Sequence, residues 1–324
     1  MRDVMRTFGI AAATALATAA LPAVAQDGDQ PYYIGVFHAD VSNSFSSVVK
    51  SGVEKAGADL GAKVEFVGPD KFDVVAQGQL IEAAIAKKPD GLFVSLPDCD
   101  ALKPMVDQAI AEGIPVMAFN AGFKCFRDVG ALVFVAADPI SEGLGAAERL
   151  SQMGAKNVLC LVHEPGNAYL EDRCDGMAQG MEKAGGKSTM VPTSLADSSV
   201  TRGALEAAFL KDPSIDGLGG EWGGGPSPAV IDQTLTDLGL QGKVIVSYFD
   251  PGADTLPMIK DGRVAFMSSQ VPFNQGYLPV MFLNAYVKYG VLPGGPSGFV
   301  ENGGFFIDKD NVDQIMGLVK EGIY

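Results

Sequence analysis

The sequence contains few histidines, tryptophans and cysteines, and it lacks several common functional motifs. Only two histidines, one tryptophan and four cysteines occur in 324 residues, and no C-x-x-C pair is present. Thiol redox catalysis and a cysteine zinc site are therefore poorly supported. Neither a Walker pattern nor a G-x-G-x-x-G pattern occurs, so the usual phosphate-binding turns are missing. We expect no metal site and no cofactor.

Positive charge and long apolar runs are scarce as well. The chain has 24 lysines and arginines against 39 aspartates and glutamates, which gives a net charge of −15. Proteins that bind nucleic acids neutralise phosphates with clustered basic residues, so we expect no nucleic-acid partner. After residue 25, no run of 18 uncharged apolar residues occurs, so we also expect no membrane-spanning helix in the mature chain.

The N-terminus has the pattern of a secretory signal peptide. Arg2 and Arg6 form a positive region, Phe8–Leu21 is a short apolar run, and the small-residue motif "AVA" ends at Ala25. We predict that residues 1–25 are a signal peptide cleaved near Ala25 and that the mature protein is periplasmic. Its removal takes away two arginines and one aspartate, which leaves a net charge of −16.

Export makes disulfide bonds possible for the four cysteines. Four cysteines allow three pairings, and the sequence alone does not choose among them. Proximity along the chain favours Cys99–Cys125 and Cys160–Cys174. Four reduced, buried thiols are the alternative.

The mature chain alternates short apolar runs with segments of helical periodicity. Tyr32–Phe37 is followed by a helical pattern over Ser46–Leu60, and "NVLCLVH" is followed by one over Ala168–Lys183. This alternation predicts an α/β fold with parallel sheets and helices on both faces. About ten such units in roughly 300 residues are too many for one sheet, so we predict two doubly wound lobes.

Polar or aromatic residues follow many of the predicted strands. Binding residues in such folds gather at the carboxyl ends of the strands, although helix N-caps also occur there. The set suits a sugar, because carboxylates and amides bond vicinal hydroxyls and flat rings cover the C–H face. It comprises His38, Asp40, Asn43, Phe45, Asp98, Asn120, His163, Glu164, Arg173, Glu221, Trp222, Asp250 and Gln270. We interpret Asp98 as a helix cap, and we rank Asp40, His163 and Glu164 below the others.

At these residues the chain resembles the type I periplasmic sugar-binding family, the group of ribose- and galactose-binding proteins. The resemblance covers nearly the whole mature chain and is carried by "IGVFHADVSNSF", "EDRCDG", "GGEWGG", "YFDPGADTLPMIKDGRV" and "VAFMSSQVPFNQGYLPV". "IPVMAFN" departs from the family, because Asn120 and Ala121 stand where a carboxylate and an arginine are usual. The ligand-binding set implied by the resemblance, with His38 and Trp222 added, is His38, Asn43, Phe45, Asn120, Arg173, Trp222, Asp250 and Gln270.

The resemblance also implies a domain organisation and a function. The N-terminal lobe would comprise 31–137 and 271–297, and the C-terminal lobe 138–270 and 298–324, joined by a three-segment hinge. The protein would capture a monosaccharide, polyol or cyclitol between the lobes and deliver it to the membrane permease of an ABC importer, acting as a monomer. A chemoreceptor or sensor kinase is a possible further partner.

An exported sugar-processing enzyme is the competing hypothesis. A pair of carboxylates such as Asp40 and Asp250 could in principle act as acid and base. The scattered polar strand ends and the resemblance favour a binding protein without catalytic residues.

Overall fold

A computed structural model describes residues 30–323, so the predicted signal peptide lies outside the described residues. The strands are β1 Tyr32–Val36, β2 Lys63–Val67, β3 Gly91–Ser95, β4 Val116–Phe119, β5 Phe134–Ala136, β6 Asn157–Val162, β7 Lys187–Pro192, β8 Gly217–Gly219, β9 Ile245–Phe249, β10 Phe266–Ser269, β11 Phe299–Glu301 and β12 Phe305–Ile307. The helices are α1 Ser44–Leu60, α2 Val74–Ala86, α3 Cys99–Ala111, α4 Pro139–Gln152, α5 Ala168–Lys183, α6 Ser198–Lys211, α7 Ser227–Asp237, α8 Leu256–Asp261, α9 Pro272–Tyr289 and α10 Val312–Lys320.

The strands form two six-stranded sheets, which confirms the predicted fold class. One sheet has the order β11-β5-β4-β3-β1-β2, and the other has the order β12-β10-β9-β8-β6-β7. All pairs are parallel except β10 with β12. Each sheet is the centre of one lobe. Counted along the two orders, β1 and β6 hold the same position, and so do β4 and β9. The carboxyl ends of β4 and β9, for example, lie at the same place in their own sheets.

The strand pairing shifts one of the predicted lobe boundaries. Phe299–Glu301 pairs with β5 in the N-terminal sheet, whereas Phe305–Ile307 pairs with β10 in the C-terminal sheet. The third crossing between the lobes therefore lies between Glu301 and Phe305, and the boundary predicted at 297/298 was placed too early. Both strands have three residues, too short for periodicity to reveal them.

Several helices begin at a side chain that caps the free backbone N–H groups of the first turn. Asn43, Asp73, Asp98 and Asp138 each accept a hydrogen bond from a backbone N–H at the start of the following helix. The interpretation of Asp98 as a cap is confirmed. These caps fix the residue at which each of the four helices begins, and Asn43 also lines the cleft between the lobes.

Each lobe contains one pair of helices packed backbone to backbone. A Cβ atom added at Gly52 of α1 would lie 2.0 Å from the Phe273 carbonyl oxygen, and one added at Gly276 of α9 would lie 1.9 Å from the Val49 carbonyl oxygen. In the C-terminal lobe, Gly143 of α4 packs in the same way against α5. Helix α9 directly follows the second crossing, and its close packing against α1 holds it in position.

Two disulfides lie one in each lobe. Cys99 is bonded to Cys125 and Cys160 to Cys174, which is the pairing that proximity favoured. The first joins the start of α3 to the loop after β4, and the second joins β6 to α5. Within residues 30–323, no helix is long and apolar enough to cross a membrane.

Replacing Gly276 by alanine tests the helix packing. We expect Gly276→Ala to lower the free energy of unfolding by about 1–3 kcal/mol, because the new methyl group would overlap the Val49 carbonyl oxygen. The matched control is Gly317→Ala in α10, where an added Cβ would have no atom within 4 Å. There we expect no loss, or a gain of up to about 1 kcal/mol from helix propensity. Urea unfolding followed by circular dichroism measures both, and equal losses would contradict the packing argument.

Candidate functional site

One cavity lies between the lobes, at the facing carboxyl ends of the two sheets. The space between its walls is about 520 Å³, part of it open to solvent. All eight residues predicted from the sequence line it. The full lining is Phe37, His38, Ala39, Asn43, Phe45, Asn120, His163, Glu164, Asn167, Tyr169, Leu170, Arg173, Leu195, Trp222, Phe249, Asp250 and Gln270.

Two of these residues have left-handed backbone conformations that non-glycine residues rarely adopt. Asn120 follows β4 with φ of 61°, and Asp250 follows β9 with φ of 53°. Such conformations cost roughly 1–3 kcal/mol each and persist only where the surrounding structure imposes them. Since β4 and β9 are equivalent strands, the same sharp turn brings an amide into the cavity from one lobe and a carboxylate from the other.

Hydrogen bonds connect these two residues through the second crossing. Asn120 Nδ2 donates to Gln275 Oε1 at 3.1 Å, and Gln275 Nε2 donates to the Gln270 carbonyl at 3.2 Å. Gln270 in turn donates to Asp250, from its backbone N at 2.8 Å and from Nε2 at 2.5 Å. Asn302, at the third crossing, donates to the Gln270 carbonyl at 2.8 Å. This set of bonds, the hinge network, links the cavity wall of both lobes to two of the three chain crossings.

Ionisation of the Asp250 carboxyl in the cavity wall is disfavoured. Burial is the largest cause and raises its pKa to about 6, although the backbone N–H of Gln270 acts in the opposite direction. Asp250 is 3% exposed, so water does little to stabilise its charge.

The guanidinium of Arg173 is almost entirely buried beside a carboxylate. Arg173 donates to Glu142 Oε2 from Nε at 3.3 Å and from Nη2 at 3.0 Å. Its central carbon lies 3.9 Å from the ring centroid of Phe249. Within the described residues Nη1 has no hydrogen-bond partner, so the edge of the guanidinium opposite Glu142 keeps free donors. Arg173 lines the cavity, but Glu142 does not.

Both histidines of the chain lie in the cavity wall, and each contacts a glutamate. His38 Nε2 is 3.3 Å from Glu164 Oε2, and its Nδ1 is 2.5 Å from Ser95 Oγ. His163 Nδ1 is 3.1 Å from Glu221 Oε1, without the angle of a hydrogen bond. Burial alone would raise the pKa of Glu164, but His38, His163 and Asn167 together outweigh it and the pKa falls to about 2. Burial lowers the pKa of His163, yet Glu221 outweighs it and the pKa is raised overall.

Aromatic rings form the apolar part of the wall. The rings of Phe37 and Phe45 stack with centroids 6.2 Å apart in the N-terminal lobe. Trp222 and Phe249 line the opposite side. The glycines beside Trp222 make room for its indole, since a Cβ at Gly224 would lie 2.8 Å from the ring. The cavity thus presents flat apolar faces between rows of hydrogen-bonding groups.

The lobes touch across the mouth of the cleft, so the structure is a closed form. His38 and Glu164 belong to different lobes, as do Lys124 and Asp172, which form an ion pair. Ser44 Oγ also donates to the carbonyl of Gly224 at 3.1 Å. These contacts would break if the lobes separated.

The sequence predicted most of the wall but missed or misjudged several members. His163 and Glu164, ranked low, both line the cavity, whereas Asp40 does not and instead accepts from the Ser42 backbone N at 2.8 Å. Tyr169 and Asn167 were missed although they start a predicted helix at the end of β6. Leu195, Phe37 and Phe249 were missed because apolar residues at strand ends give no signal that separates them from the core.

Comparison with known proteins agrees with this geometry. The sequence model of the periplasmic binding protein domain matches residues 34–290. A xylose/arabinose-binding protein of Sulfolobus acidocaldarius is 23% identical over 285 residues, covering 84% of this chain and 69% of that protein. The ribose import binding protein of Bacillus subtilis is 26% identical over 247 residues, covering 74% of this chain and 77% of that protein. A crystal structure of a carbohydrate transporter from Acidothermus cellulolyticus 11B with myo-inositol has a TM-score of 0.83 and 30% identity, covering 91% of this chain and all of that one.

The raised pKa of Asp250 predicts a pH-dependent stability. A buried carboxyl with a pKa of about 6 stabilises the fold only while it is protonated, so this contribution is lost as the pH rises through 6. We expect Asp250→Asn to be more stable than the wild type at pH 7, by up to about 3 kcal/mol, and equally stable at pH 4. Melting temperatures between pH 4 and 7.5 measure the difference. Asp128→Asn, at an exposed site, is the control, and a pH-independent difference for Asp250→Asn would contradict the argument.

Proposed function

Because the chain belongs to the periplasmic binding protein family, we propose that it captures a small neutral carbohydrate, polyol or cyclitol and delivers it to an ABC importer. The observation that supports this most directly is the cavity between two lobes. Its wall is assembled from both sheets, and its mouth is closed by contacts that need no covalent link. Opening and closing about the three crossings would admit, hold and release a ligand.

The chemistry of the wall supports the ligand class. Asn120, Arg173, Asp250 and Gln270 offer donors and acceptors to hydroxyl groups, and Phe45 and Trp222 offer faces to C–H groups. The relative with 30% identity was solved with myo-inositol, and the two curated relatives are named for pentoses. We therefore place cyclitols and pentoses first among the candidates.

The proposal includes location and partners. The predicted signal peptide at residues 1–25 supports a periplasmic protein, and the family supports a membrane permease as the partner that receives the ligand. A chemoreceptor would be a second partner that binds the closed form. We propose no catalytic activity, in keeping with a family of binding proteins.

The competing enzyme hypothesis has one arrangement in its favour, the series Ser95, His38 and Glu164. A serine, a histidine and a carboxylate in contact can form a nucleophile with its base. Ser95, however, is fully buried and does not line the cavity, so a substrate held there would not reach its hydroxyl. The pair Asp40 and Asp250 does not flank the cavity either, because Asp40 lies outside the wall.

Binding can be tested with a panel of neutral pentoses, hexoses, polyols and inositols. Trp222 is the only tryptophan and lines the cavity, so a ligand should change the intrinsic fluorescence of the protein as well as raise its melting temperature. At a ligand concentration 100 times the dissociation constant, the stabilisation is about 2.7 kcal/mol. The absence of any response across the panel, or a response to amino acids alone, would reject the proposal.

Site variants check that the response comes from this cavity. We expect Asp250→Ala and Gln270→Ala each to weaken binding of the best panel compound at least tenfold, because each removes a polar group of the wall. Asp128→Ala, at an exposed position, is the control and should bind as the wild type does. Isothermal titration calorimetry measures all four proteins. Unchanged affinity in both wall variants would show that the ligand binds elsewhere.

A further inference from the structure

Glu142 is a buried charged residue that touches the site without lining it. It lies in the first turn of α4, just after the first crossing, and is 3% exposed. Its Oε2 accepts hydrogen bonds from Arg173 and, at 3.2 Å, from the hydroxyl of Tyr169. Ser268 Oγ lies 3.4 Å from its Oε1. All its partners belong to the C-terminal lobe, so these contacts do not depend on closure of the cleft.

The pair formed with Arg173 neutralises the one guanidinium of the cavity wall. Arg173 is 1% exposed, and a charge this deeply buried is tolerated only beside an opposite charge. Burial would lower the pKa of Arg173, but Glu142, with smaller contributions from Tyr169 and Asp250, outweighs it and the pKa is raised. Burial raises the pKa of Glu142, and the neighbouring Arg173 opposes that rise. Arg173 therefore offers hydrogen-bond donors to the cavity while its charge is already balanced.

The rest of the wall carries no positive charge that an acidic ligand could use. His38 and His163 each contact a glutamate, Glu164 and Glu221 respectively. Asp250 forms no ion pair among the described residues; both of its oxygens accept from Gln270, and the charge of Arg173 acts on it only from a distance. A carboxylate or phosphate on a ligand would meet these acidic groups without an uncompensated cation, and the repulsion is strong where water is excluded.

We propose that Glu142 determines the charge specificity of the site, selecting neutral ligands over acidic ones by balancing the charge of Arg173. The inference rests on the proposed function and adds a residue that acts through Arg173 and not by touching the ligand. Removing the carboxylate charge while keeping the side-chain shape takes away the only ion-pair partner that the described residues give this guanidinium, and leaves the more distant Asp250 to offset its charge. Such a cavity gains affinity for an anion, because arginine binds carboxylates and phosphates well.

The test compares matched neutral and acidic probes. The neutral compound that binds best is paired with its acidic counterpart, a hexose with its uronate or myo-inositol with its 1-phosphate. We expect the wild type to bind the neutral member at least about 100-fold more tightly. In Glu142→Gln we expect that ratio to fall at least tenfold, with tighter binding of the acid. Calorimetry or Trp222 fluorescence gives the dissociation constants.

Glu142→Asp is the matched control, because it keeps the charge and shortens the side chain. It should retain the wild-type ratio even if both affinities fall, whereas a merely structural role would change Glu142→Gln and Glu142→Asp alike. An unchanged ratio in Glu142→Gln overturns the inference. If Glu142→Gln does not fold, the ratio of affinities measured for the wild type still tests the inference, because equal affinity for the neutral and the acidic probe would overturn it. A panel without any neutral ligand would instead reject the proposed function.

Discussion

The hinge network around Gln270 is the interaction on which the rest of the cavity depends. Gln270 lies where the chain crosses between the lobes, and its carbonyl, amide and side chain bond to Asp250, Gln275 and Asn302. The cavity wall and the crossings therefore share the same hydrogen bonds. A ligand that bonds Asp250 or Gln270 acts directly on the residues about which the lobes would rotate, so binding and closure are coupled through contacts of a single residue.

The site is held together at a cost in stability. Asp250 is buried without an ion pair, Asn120 and Asp250 have left-handed backbones, and Arg173 with Glu142 forms an ion pair out of water. None of these features is favourable for folding by itself. They persist because each lobe packs its helices and strands tightly around them, as α4 does against α5 through Gly143. The packing of each lobe thus fixes the position of that lobe's part of the polar wall.

The sequence predicted the sheets and most of the wall because both follow local rules. Apolar runs and helical periodicity marked the strands and helices, and polar residues at strand ends marked the cavity. Three short or exposed strands, β7, β11 and β12, escaped notice because they lack a continuous apolar run. Glu142 escaped as well, since a glutamate in a first helical turn is common and only the tertiary fold brings it to Arg173. Long-range pairing of this kind leaves no local signal.

The differences between the two similar lobes determine the chemical character of the cavity. His38 and His163 follow equivalent strands, and so do Asn120 and Asp250, yet their partners differ. His38 meets a glutamate of the other lobe, whereas His163 meets one of its own; Asn120 supplies an amide where Asp250 supplies a carboxylate. The common architecture places a polar group at each strand end, and the residue type at each place sets the charge. A cavity with flat aromatic faces, in which each cationic side chain has an acidic partner, follows from those choices, and it fits a neutral ligand rich in hydroxyl groups.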